Sequence, residues 1–475
     1  IVAISSIVLA LLMQAIGLLW AHYSRYSVIK KYRNNIINFH LNLKWNETLK
    51  SHSGSLNDIL LQQLELLGAG YFTLYSLWLA LFQVIIFFII GVLISKEMIA
   101  VILIIMVIIF LSSFLLQVYV RKKSQITTNT YQKYGVEVAD YSNNLKSYRF
   151  NNSHYLIKRF SELTSKIEDS LSKVSRASVF QTFYIQLFTI ATVLILVLFN
   201  NFFGIKASEL LVFILVIQRL SNYALGFYSN ALLFQANYPA IELVNVYSDF
   251  LEENQDQNGS IEIDNIKSIE LKDISFKYDQ NYIVKKHNLR IEKNETIAIT
   301  GKSGSGKSTL LDLIALFHKP SEGVFLINKI ESTKIDKKSY RKKISYINQD
   351  STLIKGTIRN NITMGAKYTD EDLILICKKA LIYDWIESLP DQLDTIVGEK
   401  GSKISGGQLQ RILIARCLVT LPDILILDEA TNALDQINLT NVNKLIDELN
   451  GKLIIILVSH NIDNLPKIDK FINLL

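Results

Sequence analysis

Strongly apolar runs without a charge occupy Ile1–Trp20, Leu66–Ser95, Met98–Val120 and Ala177–Ile205. A fifth, Leu210–Ile241, is interrupted only by Arg219. Each matches or exceeds the roughly 20 residues that a helix needs to cross a bilayer. Five such runs, with aromatic residues near several ends, predict membrane spans rather than the core of a soluble protein. No proline precedes Pro239, so nothing in the first half forces a helix to break. The stretches between the runs are rich in helix formers. The pattern therefore predicts long helices that leave the membrane and continue into water. After about residue 245 the composition becomes that of a soluble α/β domain, and "DFLEENQDQNGS" (residues 249–260) reads as an acidic, polar linker between the halves.

Charge follows the same pattern. The 475 residues carry a formal net charge of +7, which alone would suit a nucleic-acid partner, but its placement argues otherwise. Arg25, Lys30, Lys31, Arg33, Lys44 and Lys50 lie between the first two runs; Arg121, Lys122, Lys123, Lys133, Lys146, Arg149, Lys158, Arg159, Lys166, Lys173 and Arg176 lie between the third and fourth. The two short connections hold one lysine each, Lys96 and Lys206. Positive residues gather on the cytoplasmic side of membrane proteins. Both long loops and the soluble domain are thus expected in the cytoplasm (inside the inner membrane of a bacterial cell), with no nucleic-acid partner. By the same count the chain starts on the outer side. With no Met, cationic leader or cleavage pattern at Ile1, it reads as lacking its first residues rather than as opening on a signal peptide. Cys377 and Cys417 have no metal-ligand spacing and are expected to be reduced thiols.

The soluble half carries short motifs with definite chemistry. "TIAITGKSGSGKSTLLDLIAL" runs from an alternating strand through a glycine-rich turn into an apolar-periodic helix. It matches G-x-x-x-x-G-K-[ST] in full at Gly301, Gly306, Lys307 and Ser308. Glycines let backbone N–H groups wrap phosphates, and the helix N-terminus adds a favourable dipole. The expected ATP cradle is thus Gly301, Lys302, Ser303, Gly304, Ser305, Gly306, Lys307, Ser308 and Thr309. Lys307 should reach the β- and γ-phosphates, and the Ser308 hydroxyl should ligate Mg²⁺. In "DILILDEA", Ile424 to Leu427 suit a strand buried on both faces of a parallel sheet. Such strands present carboxylates at their C-terminal ends beside the phosphate loop. Asp428 is then placed to hold Mg²⁺ and Glu429 to polarise the attacking water.

Three further residues fit the same site through their order along the chain, although each alone would pass for a surface or strand-end residue. Gln349 in "SYINQD" would sense Mg²⁺ or the γ-phosphate, His460 in "LIIILVSH" would contact the γ-phosphate, and Tyr278 in "FKY" would stack on adenine. A second glycine pair, in "ISGGQLQR" (residues 404–411), also opens what reads as a helix. One domain then carries two phosphate-binding helix starts.

In this order the motifs resemble those of the ATP-binding cassette (ABC) transporters. "ISGGQ" is similar to the family's signature motif, whose usual first residue is Leu rather than Ile404. "TIVGEKG" (395–401) resembles the loop preceding the signature in ABC exporters, and "NALD" (432–435) resembles the D-loop. The resemblance covers essentially the whole chain, the membrane half mainly by its pattern. It implies an all-α transmembrane bundle of exporter type over 1–248, a linker over 249–262 and an α/β P-loop NTPase domain over 263–475. It also implies that Ser405, Gly406, Gly407 and Gln408 cover ATP held by the cradle of a second subunit, the two cassettes facing head to tail. Three departures stand out. The family normally has six spans where five are counted, and "RYSVIKKYRNNIINFH" resembles the start of its first cytoplasmic loop, so the first span is the one expected to be missing. The chain also ends sooner than family cassettes do. Asn294 stands where a turn glycine is common, and Asn tolerates positive φ better than most residues.

The resemblance implies a subunit of a multi-pass ATPase exporter, paired with an identical or different second subunit. Its cargo would be a lipid, peptide or drug-like molecule. Coupling helices are expected near Asn42–Asn46 and Lys146–Asn152. A non-transport ATPase with the same signature conflicts with the five runs. An importer usually carries its membrane domain on a separate chain. An inactive cassette conflicts with the presence of Lys307, Asp428, Glu429 and His460. Arg219 lies about 13 residues, or roughly 20 Å of helix, past Lys206, near the bilayer middle, and is expected to face the bundle interior or a wet cavity.

Overall fold

The apolar runs prove to be parts of helices longer than themselves. The computed structural model describes every residue except 1, 51–52, 95–98, 151–152, 199–206, 303, 349–350, 399–403, 430–435, 460–464 and 475, and only the backbone inside several helices. The first of two units, Ile1–Asp256, contains α1 (Val2–Leu41), α2 (Trp45–Lys50), α3 (Ser53–Asp58), α4 (Leu64–Ile94), α5 (Ile99–Asn143), α6 (Leu145–Phe150), α7 (Ser153–Leu198) and α8 (Ala207–Glu253). Helix α8 has 47 residues, roughly 70 Å of helix against about 30 Å of hydrocarbon. Among the described residues, Ser55–Ile89 and His154–Ile195 are helices long and apolar enough to cross a membrane. Short helices α2 and α6 sit where coupling helices were expected.

Helices α1, α4 and α8 pack around Ile29, Ile36, Leu64, Leu67, Val244 and Leu251. Gly68 permits the close approach: a Cβ there would lie 2.4 Å from the Ile29 Cδ1. Helix α8 runs through Pro239, which removes a backbone donor and crowds the preceding turn. In that turn the Ala236 carbonyl accepts a hydrogen bond from the Ser124 hydroxyl of α5. The residues after α1 are stitched to those after α8: Lys44 N–H donates to the Asn254 carbonyl at 3.1 Å and Asp256 N–H to the Asn42 carbonyl at 2.8 Å. The α2 tip and the exit toward the second unit therefore share one end of the bundle. Helix α8 continues to Glu253, into the stretch read as linker, because residues 249–253 hold no Gly or Pro to stop it, Gly259 coming only later. The units part between Asp256 and Gln257.

The second unit holds β1 (Ser268–Tyr278), β2 (Asn281–Glu292), β3 (Thr296–Gly301), α9 (Lys307–Ile314), β4 (Glu322–Ile327), β5 (Ile330–Glu331), α10 (Lys337–Arg341) and β6 (Ile344–Ile347). After them come β7 (Gly356–Thr357), α11 (Ile358–Thr363), α12 (Asp370–Lys379), α13 (Tyr383–Glu387), β8 (Ile396–Val397), α14 (Gly406–Val419), β9 (Ile424–Asp428), α15 (Gln436–Leu449), β10 (Ile454–Val458) and β11 (Lys470–Leu474). The central sheet is parallel, ordered β11-β3-β10-β9-β6, beside an antiparallel sheet ordered β2-β1-β4-β5. Asn294, between β2 and β3, takes φ +68°, as its place in the turn requires.

Alternate residues of the central strands divide between two cores, as a side-chain period of two dictates. Ile424, Ile426, Ile454 and Ile456 cluster with Leu310, Leu311, Leu313 and Ile314 of α9. Leu425, Leu427, Ile455 and Leu457 cluster with Ile412, Leu413 and Ile414 of α14. Helices α9 and α14 therefore lie on opposite faces of the sheet. Cys377 and Cys417 are buried and free, and burial pushes their thiols up to about 11 and about 12.

Candidate active site

Strand β3 delivers the chain to the C-terminal edge of the parallel sheet, where such folds bind ligands. The loop that follows depends on glycine. Gly306 takes φ +91°, and a Cβ there would lie 3.1 Å from the Ile283 carbonyl oxygen; at Gly301, φ +151°, it would lie 2.5 Å from that of Leu474. Lys307 opens α9 with its side chain folded back over the loop. Its Nζ donates to the carbonyls of Gly301 at 3.0 Å and Lys302 at 2.9 Å. Among the described residues the Ser305 hydroxyl is buried without a hydrogen-bond partner. An ammonium, an orphan hydroxyl and the N–H groups of a helix start fit a phosphate chain.

Strand β9 ends at Asp428, separated from β3 by β10 alone. Asp428 is 4% exposed and hydrogen-bonded to Ser308 and Tyr346. Burial holds its carboxyl above the usual carboxylate range, and the charge of Glu429 adds to this; Ser308, Lys307 and Tyr346 oppose it. Such a carboxylate gains from a cation. One hydroxyl and one carboxylate suit Mg²⁺, which keeps waters and phosphate oxygens for the rest of its shell. Among the described residues no group of three or more His, Cys, Asp or Glu forms a metal cluster.

Glu429 turns into the left-handed region at φ +53°, and its N–H bonds the Val458 carbonyl at 3.2 Å. A non-glycine residue held there stores strain, which concentrates at functional sites. Ser303, Gln349 and His460 lie outside the described residues. The strands leading to the last two, β6 and β10, flank β9, with Ile347 opposite Leu427 and Val458 opposite Asp428.

Asp312, His318 and Tyr346 also belong to this site, and no motif announces them. Asp312 lies one helical turn beyond Ser308, on the same face. Burial and then the charge of Asp428 push its carboxyl up to about 6. Tyr346, on β6, is half-buried; burial and then the charges of Asp312 and Asp428 raise its phenol. Tyr278 ends β1, and its hydroxyl meets His318 Nε2 at 2.8 Å. It also has Thr309, in the cradle, as a hydrogen-bond partner. The signal for Asp312 was its i+4 spacing; the others arise from tertiary contact.

On the opposite face of the sheet, Ser405 caps α14. Gln408 N–H donates to the Ser405 Oγ at 3.3 Å and Ser405 N–H to the Gln408 Oε1 at 2.9 Å, a capping box. Gly406 has nothing within 4 Å of where its Cβ would be, and Gly407 follows it in the first turn. This helix start is remote in topology from its own chain's cradle.

Comparison with known proteins places both glycine motifs in one family. Residues 284–432 match the family model for the ABC transporter. A multidrug resistance ABC transporter ATP-binding and permease protein of Lactococcus lactis subsp. lactis (strain IL1403) is 36% identical over 229 residues, 47% of this chain and 39% of that protein. ATP-binding cassette sub-family B member 5 of Homo sapiens is 37% identical over 211 residues, 44% of this chain and 17% of that protein. The chain spans less than half the length of either relative. The solved structure of a bacterial Atm1-family ABC exporter with ATP bound is similar in fold, with a TM-score of 0.83 at 20% identity, covering 95% of this chain and 81% of that one.

Proposed function

Because the chain belongs, through its cassette, to the ABC transporter family and has the fold of an exporter in which a helical unit is fused to that cassette, we propose that it is an ATP-hydrolysing exporter subunit working as a dimer. The observation that carries the dimer is the central sheet. The cradle helix α9 packs on one face and the signature helix α14 on the other, so one chain cannot close its own signature over its own cradle. A second subunit, a copy or a homologue, brings Ser405, Gly406, Gly407 and Gln408 to the phosphates instead.

In each composite site Tyr278 stacks on adenine, and Lys307 with the loop N–H groups holds the phosphates. Ser308, Asp428 and Gln349 would hold Mg²⁺, which would draw negative charge from the β- and γ-phosphates. Glu429 polarises the attacking water, and His460 contacts the γ-phosphate. Closure of the cassettes moves the cytoplasmic ends of the long helices, with α2 and α6 as coupling helices, and turns the cavity outward. Hydrolysis resets it. The cargo is a lipid, peptide or drug-like molecule, the last favoured by the lactococcal relative's multidrug name.

Mixed dimers test this reading. A Ser405→Arg subunit paired with a Lys307→Ala subunit places both lesions in one composite site and leaves the other whole. That pairing should retain ATPase activity, whereas tandem dimers carrying either lesion on both halves should lose it. Loss of activity in the mixed dimer equal to that of the double lesions counts against the composite site.

A further inference from the structure

We infer that His318 is a positioning residue that fixes the Tyr278 ring as the platform for the nucleotide base. This rests on the reading of Tyr278 as the adenine-stacking residue and adds to it the group that aims the ring. His318 Nε2 lies 2.8 Å from the Tyr278 hydroxyl and 3.8 Å from Asp312 Oδ2, with the imidazole side chain only 1% exposed. The imidazole is stacked on Phe276, centroids 4.7 Å apart and planes at 30°. Tyr278 stands edge-on to both rings, at 87° to Phe276 and 88° to His318. Burial lowers the His318 pKa, so the ring is neutral at ordinary pH, and a neutral imidazole and a phenol make a matched hydrogen-bond pair in either tautomer.

The position of His318 along the chain gives this contact its use. Helix α9 begins at the cradle, and His318 follows the tight turn at its far end, where Phe317 N–H bonds the Asp312 carbonyl at 2.9 Å. One rigid element of eight residues thus carries phosphate ligands at its start and the anchor of the base platform just past its end. A phenol tied at its hydroxyl cannot swing about χ1, so the ring is oriented before the base arrives and less ordering cost remains for binding.

The test compares ATP with inorganic tripolyphosphate on the full chain. His318→Phe keeps the stacking ring and removes the hydrogen bond; Tyr278→Phe removes it from the other side. Each should raise the KM for ATP roughly 3–10-fold, as expected for one net hydrogen bond, with a smaller change in kcat. The double variant should be no worse than either single one, and His318→Gln should recover part of the loss. Inhibition by tripolyphosphate, which has no base, should be unchanged in the His318 variants; Tyr278→Phe also removes the Thr309 contact. If Tyr278→Ala raises the KM for ATP but neither phenylalanine variant does, the adenine reading stands and the positioning role is overturned. If Tyr278→Ala leaves the KM unchanged, both fail. Equal weakening of ATP and tripolyphosphate in His318→Phe would reduce His318 to general support of α9, and a misfolded His318→Phe leaves the Tyr278→Phe and His318→Gln arms to decide.

Discussion

At Glu429 a strained backbone and a site carboxylate coincide, and the two call for substitutions that separate binding from turnover. Glu429→Gln keeps shape and loses the charge proposed to polarise water, so hydrolysis should fall by roughly 10²–10⁴-fold while ATP affinity, measured by equilibrium binding, persists. Lys307→Ala should instead weaken ATP binding about 10–100-fold, the worth of a charge-assisted hydrogen bond of ~1.5–3 kcal/mol. Asp312 makes a pH-dependent prediction. Its carboxyl, facing Asp428 on β9, Tyr346 on β6, and Tyr278 and His318, titrates at about 6 in the fold against 3.8 ordinarily. A raised carboxyl pKa contributes stability that is full below about 3.8 and lost as pH rises through about 6. Asp312→Asn should therefore gain on the order of 1–3 kcal/mol over wild type at pH 8 and almost nothing at pH 4. Thermal melts without nucleotide or Mg²⁺ measure it; a variant no more stable at pH 8 refutes it. At this scale the cradle was legible, because glycine spacing is local chemistry. His318 and Tyr346 were not, since their partners arrive from other strands.

Among elements, α14 is linked to α11 and the segment before it by a polar network. Arg416 donates to the Asn361 carbonyl at 2.7 Å and its Oδ1 at 2.8 Å, and Asn361 Nδ2 donates to the carbonyls of Ile354 at 2.9 Å and Thr357 at 3.0 Å. Asn361 is fully buried. Asn361→Leu leaves the Ile354 N–H and two carbonyls short of partners and takes one bond from a half-buried guanidinium, and should cost on the order of 3 kcal/mol in denaturant unfolding. A second prediction concerns α8. Ile217 and Leu220 pack with Val84, Phe87 and Phe88, while Gln218, Arg219, Asn222 and Ser229 share an exposed face. Arg219 is thus exposed on the single chain, because its helix buries the apolar side. A charge cannot rest against mid-membrane lipid cheaply, so this stripe should face water. Arg219→Cys should react with a charged, membrane-impermeant thiol reagent in at least one nucleotide state, against low background from the buried cysteines; no labelling in any state refutes it. That the helices extend beyond the apolar runs was readable from the helix formers between the runs. The π-helical turn at Ile59–Gln63 was not, because Asp58 and Gln63, hydrogen-bonded to each other at 3.1 Å, read individually as helix-compatible polar residues.

For the whole molecule, the composite site proposed from the two faces of one sheet makes activity depend on assembly. Chains isolated as monomers by size in detergent should hydrolyse ATP far more slowly than dimers at equal subunit concentration. Equal rates would mean that a single chain completes its own site. The division into a helical unit and a cassette was legible because membrane and water select different compositions. The placement of α9 and α14 was not, since the alternation of Ile and Leu along β9 and β10 names two cores without saying which helix covers each.

The composite site proposed from that placement also has a consequence for inheritance. Suppose a cell makes two versions of this chain that pair at random. A version with a damaged signature silences the site built on its neighbour's cradle, so its harm falls on the product of the healthy allele. A version with a damaged cradle silences only its own. Two such alleles, each harmful in pure form, meet in a mixed pair with both injuries in one site and the other intact. Partial rescue between alleles, mapped residue by residue, would then trace which side of the sheet each injury lies on.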